Sequence, residues 1–172
     1  MIRSAFVDLI DEKKLISTIT VAELAERADI AKSTFYNHYE DVYAVADEMM
    51  RELIDMLNEI IDAMDADNTT DYKVYIKRIF DFIKENQHIY SKVASSPDSV
   101  FFIDKIKHII TTRVLSNVKS PYLSKNKTVR HVQISFVANA CVDVMVNYFR
   151  GEIKMSFDEL EKTVVELIDK FI

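Results

Sequence analysis

Apolar residues recur along this chain at spacings of three and four, interrupted by short polar runs rather than by strict alternation. That period belongs to α-helices with one buried face. Ala5, Phe6, Leu9 and Ile10 predict a first helix over residues 3–16. Thr20 followed three residues later by Glu23 is a capping-box pattern, and Val21, Leu24, Ala25 and Ala28 give the helix it starts one apolar face. Asp29 falls where the chain must turn, and Asp tolerates the left-handed conformation better than most residues. Ala31 to Thr34 then open a second short helix that carries Phe35, Tyr36, Asn37, His38 and Tyr39. Asp41 caps a long helix whose face is Val42, Ala46, Met49, Leu53, Leu57, Ile60 and Met64.

The polar run over 65–71 predicts a loop. Helices are expected over 72–86, 87–94 and 98–118, with Ser95, Ser96 and Pro97 ending the middle one and Pro121 in a loop over 120–126. From Thr128 to Arg150 apolar residues occupy nearly every direction around the axis, so that helix should be buried on most sides. Gly151 supplies a C-cap, and Ser156 with Glu159 starts a last helix in which Phe157, Leu160, Val164, Leu167 and Phe171 repeat. The expectation is an all-α chain of about nine helices. Residues 1–46 are expected to form a helix-turn-helix domain and residues 47–172 a helical bundle that carries dimerisation. Val142, Met145, Phe149, Leu160, Val164 and Leu167 are the candidate homodimer interface, because two apolar terminal helices are well buried by a second copy, with a fully self-buried monomer core as the alternative.

Composition strengthens the helical reading. One glycine and two prolines in 172 residues leave little room for hairpins. Cys141 stands alone, which excludes a disulfide framework and suits a small buried hydrophobe. Asp143 and several amides within the most apolar stretch argue against a membrane span, and the acidic N-terminus is unlike a secretory signal. A cytoplasmic protein is expected. Charge complicates the picture: residues 1–50 carry five Lys/Arg against ten Asp/Glu, so most of the net −6 lies in the helix-turn-helix part. A nucleic-acid reader ordinarily shows the opposite balance.

The run ITVAELAERADIAKSTFYNHYEDVYAV resembles the DNA-binding domain of the TetR family of bacterial transcriptional regulators, with matches at Ile19, Val21, Leu24, Ala25, Ala28, Ile30, Thr34, Phe35, Tyr36 and Tyr39. The ending NYFRGEIKMSFDELEKTVVELI resembles the subgroup that includes regulators of dihydroxyacetone kinase operons. The resemblance implies a homodimer whose recognition helices enter successive major grooves of a pseudo-palindromic double-stranded operator. It also implies that Arg3, Thr20, Lys32, Ser33, Thr34, Tyr36, Asn37 and His38 face DNA. Most of the family represses, while the suspected subgroup includes activators.

The chemistry of these side chains is compatible with that role. Asn37 can pair bidentately with adenine, and Lys32 can neutralise a phosphate or read guanine. Ser33 and Thr34 can reach bases or phosphate, and Tyr36 can donate to phosphate oxygens. His38 is either a phosphate contact or a plain surface residue. Phe35 and Tyr39 are expected in the core. Two departures from the family pattern lower the expected affinity: Arg3 alone stands for a basic leading arm, and Glu40-Asp41-Val42 replaces a basic start to the following helix. A protein–protein co-regulator on the same fold, with weak or no DNA binding of its own, is the alternative.

Other chemistry is sparse. A single glycine excludes a phosphate-cradling loop or a dinucleotide fingerprint, and no pair among the four histidines has metal-ligand spacing. No nucleophile and base can be assembled, so an enzyme, a cofactor and a metal site are not expected. Tyr72, Tyr75, Phe80, Tyr90, Phe102 and Phe136 are candidates for the wall of an apolar pocket for a small-molecule or protein effector, with ordinary core packing as the alternative. Ser135, Asn139, Asp143 and Asn147 share one row of their helix. That row is a solvated edge, a polar seam across a dimer or a set of effector contacts.

Overall fold

The first helix, α1 (Ile2–Lys13), stops three residues short of the sequence expectation. Lys14 turns the chain in the left-handed conformation at φ 68°, its amide still donating to the Ile10 carbonyl at 2.8 Å. A short 3-10 turn (Ile16–Thr18) follows. The carbonyl of Lys14 and the amide of Ile16, which a continuing helix would use, are taken by side chains 82 positions away. Ser96 Oγ donates to the carbonyl at 2.6 Å, and the Asp98 carboxylate accepts from the amide at 2.7 Å. Long-range bonds end this helix, not a local signal.

The computed structural model describes residues 1–67, 73–117 and 122–171. Among these it shows nine α-helices and the one 3-10 turn: α2 (Val21–Arg27), α3 (Lys32–Tyr36), α4 (Val42–Asp67), α5 (Lys73–Glu85), α6 (Gln87–Ala94), α7 (Ser99–Asn117), α8 (Lys127–Phe149) and α9 (Phe157–Phe171) follow α1. The predicted all-α architecture is correct. The break expected from residue 65 begins later, since α4 runs to Asp67, and the rest of that polar run lies outside the described residues.

Two apolar cores organise the chain. The first gathers Phe6, Ile10, Leu24, Phe35 and Val45 from α1–α4, all with 2% or less of their surface accessible. The second packs Phe80 of α5 against Phe157, Leu160, Val164 and Ile168 of α9. Ile168, not Leu167, closes that face, because eleven residues complete three helical turns from Phe157. Leu167 is exposed.

Helix α8 runs against α6, α7 and α9 and is central to the bundle. By length and composition alone it could cross a bilayer. Its start is capped by Asn126, which accepts from the amides of Thr128 and Val129. Its end is a Schellman turn: the Gly151 amide donates to Tyr148 and the Glu152 amide to Asn147, each at 3.0 Å, with Gly151 at φ 76°.

Candidate DNA-reading surface and apolar cavity

Helix α2 begins as its sequence dictates. Thr20 Oγ accepts from the Glu23 amide, and the Glu23 carboxylate accepts from both the amide (3.0 Å) and the hydroxyl (2.8 Å) of Thr20. Lys13 Nζ donates to the same carboxylate at 2.6 Å. These donors, Lys13 first, hold the Glu23 carboxyl down at about 2. Asp29 makes the turn at φ 53°, and the Ile30 amide returns to the Ala25 carbonyl at 3.0 Å. Helix α3 is only five residues long. It ends at Tyr36 because the amides of His38 and Tyr39 both fold back onto the Phe35 carbonyl. Asn37 and His38 therefore sit on the turn after α3 rather than on the helix.

Phe35 is fully buried, and the Tyr39 ring lies 5.6 Å from it, so both aromatics pack as the sequence suggests. The Tyr39 hydroxyl donates to Glu48 in α4, and burial with that bond pushes it up to about 12. What remains outside is a continuous polar surface: Lys32, Ser33, Thr34, Tyr36, Asn37 and His38 are all exposed. Thr20 is exposed too, but its hydroxyl proton is already directed at Glu23.

Arg3 is placed differently from the sequence expectation. Its guanidinium forms a two-pronged pair with Glu52 of α4, Nη1 donating to Oε1 at 2.7 Å, and it borders the bundle interior. Arg27 is held by Glu12 (2.7 Å), Lys13 by Glu23 and Lys14 by Asp11 (3.0 Å). Among the described residues, Lys32 is the one basic side chain of residues 1–50 that is not in an ion pair. Pairing of this kind raises Arg3 and Arg27 above their ordinary values and lowers Glu12.

The bundle holds a cavity of about 340 Å³. Its walls are almost wholly apolar and come from α4 to α9, with Phe6 and Ile10 of α1 at one end. Of the aromatics proposed from sequence, Phe80, Tyr90 and Phe102 border it. Phe136 does not: it stands on the outer side of α8, 64% exposed, in line with Val129 and Val132. Tyr72 lies outside the described residues, as does the side chain of Tyr75.

The interface candidates also change place. Val142, Met145 and Phe149 border the cavity, while Leu160 and Val164 are buried against α5 of the same chain. Helical periodicity identifies an apolar face but not what covers it, so it could not tell a cavity wall or a core within the chain from an outer face. In the polar row of α8, Asp143 is exposed and meets Lys107 of α7 at 2.6 Å, and Asn139 donates to the Ser135 carbonyl. Sequence reasoning missed the isoleucines that recur along the cavity wall, such as Ile79, Ile83 and Ile106. Their only signal was density, which fits a filled core equally well.

Three comparisons bear on this architecture. No curated protein matches the chain. The fold is similar to that of the dihydroxyacetone kinase operon activator DhaS, with a TM-score of 0.56 and 20% sequence identity. That match covers 99% of this chain and 93% of the other. Residues 70–170, more than half of the chain, match the TetR-type family model described as a transcriptional regulator C-terminal region. With a capped helix-turn-helix at one end and that region at the other, the chain belongs to the TetR family of transcriptional regulators.

Proposed function

We infer that this regulator binds operator DNA as a homodimer through α2 and α3, its affinity set by an effector in the bundle. The observation that carries the reading is the sorting of side chains around α3. Phe35 is wholly buried and fixes the helix, while Lys32, Ser33, Thr34, Tyr36, Asn37 and His38 stay exposed together on its other side and on the turn that follows. A rigid mount for a polar reading surface is what major-groove recognition requires. Dimerisation is supported by the outer side of α8, where Val129, Val132 and Phe136 lie exposed at three- and four-residue spacing, and by exposed Leu167 of α9. Effector control is supported by the cavity, whose volume suits a small molecule. On this reading the protein acts in the cytoplasm.

A pool of random duplex DNA, selected by gel retention, yields the operator. Replacing Tyr36 and Asn37 with Ala should then reduce retention of that operator at least tenfold while sedimentation still reports a dimer. Retention that survives both changes overturns the site assignment.

The ion pairs favour a second reading, a co-regulator that reaches DNA through another protein. With Arg3, Lys13, Lys14 and Arg27 engaged by carboxylates, few cations are left to displace counterions from phosphates. Absence of any retention at low salt would favour that reading. A fall of log affinity with log salt, at a slope of roughly 0.9 per phosphate contact, would favour direct binding.

A further inference from the structure

Among the described residues only two charged side chains border the cavity, Arg3 and Glu52, and they are paired with each other. An ionic ligand would give up its hydration there without gaining a counterion. Nor are most of the neutral polar groups available as donors. Asn86 donates to the Phe82 carbonyl at 3.0 Å, Ser96 to the Lys14 carbonyl and Ser99 to the Ala94 carbonyl. Tyr90 is the exception. Its ring packs against Phe82 and Phe149, and among the described residues its hydroxyl has no hydrogen-bond partner. Burial pushes that hydroxyl up, with Glu52 acting in the same direction and Arg3 against it, which sets it near the paired charges. Among the described residues, the cavity thus offers long apolar walls and one uncharged polar side chain, that of Tyr90, with no hydrogen-bond partner.

We propose that this cavity takes an uncharged, predominantly apolar small molecule with one hydrogen-bond acceptor, which Tyr90 recognises and which rests directly on α1. Contact with α1 follows from the wall itself, since Phe6 and Ile10 belong at once to the cavity and to the core that carries α3. This deepens the effector reading above and rests on it.

The full-length protein with the neutral fluorophore N-phenyl-1-naphthylamine provides the test. Competitors of similar chain length and different head are 2-undecanone, decanoate and decyltrimethylammonium. The ketone should displace the probe, with both ions weaker by about tenfold or more. Tyr90→Phe should weaken the ketone about fivefold and leave the probe, which lacks a comparable acceptor, unchanged. Ala138→Phe, which adds a ring to the wall, should abolish probe binding while circular dichroism still reports a cooperative melt.

An ion that competes as well as the ketone overturns the proposal, as does an unchanged ketone affinity in Tyr90→Phe. A probe that never binds does so too. Operator retention is read separately. Ketone binding at Tyr90 with no change in retention supports the cavity assignment and overturns effector control by the bundle.

Discussion

Around Leu24, Phe35 and Val45 no accessible surface remains, whereas around Ile79, Ile106 and Met145 similar side chains border about 340 Å³ of empty space. The two interiors draw on the same apolar residue types, so composition does not separate them. Geometry does. In the first, α2 and α3 are seven and five residues long, and α2 is fixed by the Thr20 cap at its start and the left-handed Asp29 turn beyond its end. Short elements pinned in this way can close on every side chain. In the second, helices of up to 26 residues run past one another, and branched aliphatic side chains do not reach across the gap they leave. A filled interior holds a surface still, and a hollow one leaves room for something to enter.

The contrast is easiest to break at its tightest point. Phe35→Ala should cost about 3–5 kcal/mol, since it empties the middle of the filled core. Urea denaturation would read that loss, and operator retention should disappear with it. A loss below about 1 kcal/mol would mean that this core is looser than its burial indicates.

Next in size is a matched pair of enlargements. Ala28→Leu, in the filled core, should destabilise by about 1–3 kcal/mol. Ala138→Leu, whose new methyls would enter the cavity, should be neutral or stabilising by up to about 1 kcal/mol. Equal losses in the two variants would erase the distinction between the interiors.

Caps come third. Thr20→Ala should lower stability by about 1 kcal/mol, read as a thermal midpoint. Glu23 adds a pH dependence of known sign. Its carboxyl is held at about 2 in the fold against an ordinary 4.5. Its contribution is therefore complete above about pH 4.5 and lost as pH falls from there through about 2. The midpoint difference between the wild-type protein and Glu23→Gln should shrink across that window and stay flat above it.

The smallest effect is expected where the two regions meet. Arg3→Gln breaks a partly exposed pair and should change stability by about 0.2–1 kcal/mol. A loss above about 2 kcal/mol would show that Arg3 holds the regions together rather than bordering the cavity.

Legibility in the sequence follows the same division. The capping boxes at Thr20 and Ser156, the turn at Asp29 and the burial of Phe35 were all readable, because each depends on residues a few positions apart. The pairing of Arg3 with Glu52 and the end of α1 at Lys13 were not, since their partners are 49 and 82 residues distant. Phe136 was expected on a pocket wall and Val142 on an interface; in the structure Phe136 is exposed on the outer side of α8 and Val142 borders the cavity. Both lie on a helix apolar in most directions, where periodicity gives no preferred side.

The bonds from Ser96 and Asp98 to the backbone beside Lys14, with Lys92 reaching Asp8 at 2.5 Å, make a second junction between the bundle and the reading unit. The first junction is the unbroken helix α4. A body fastened at two separate places has one easy motion left, a swing about the line joining them. On the effector reading proposed above, this mounting would set the direction in which α3 travels, and a ligand would choose how far along that arc the helix rests.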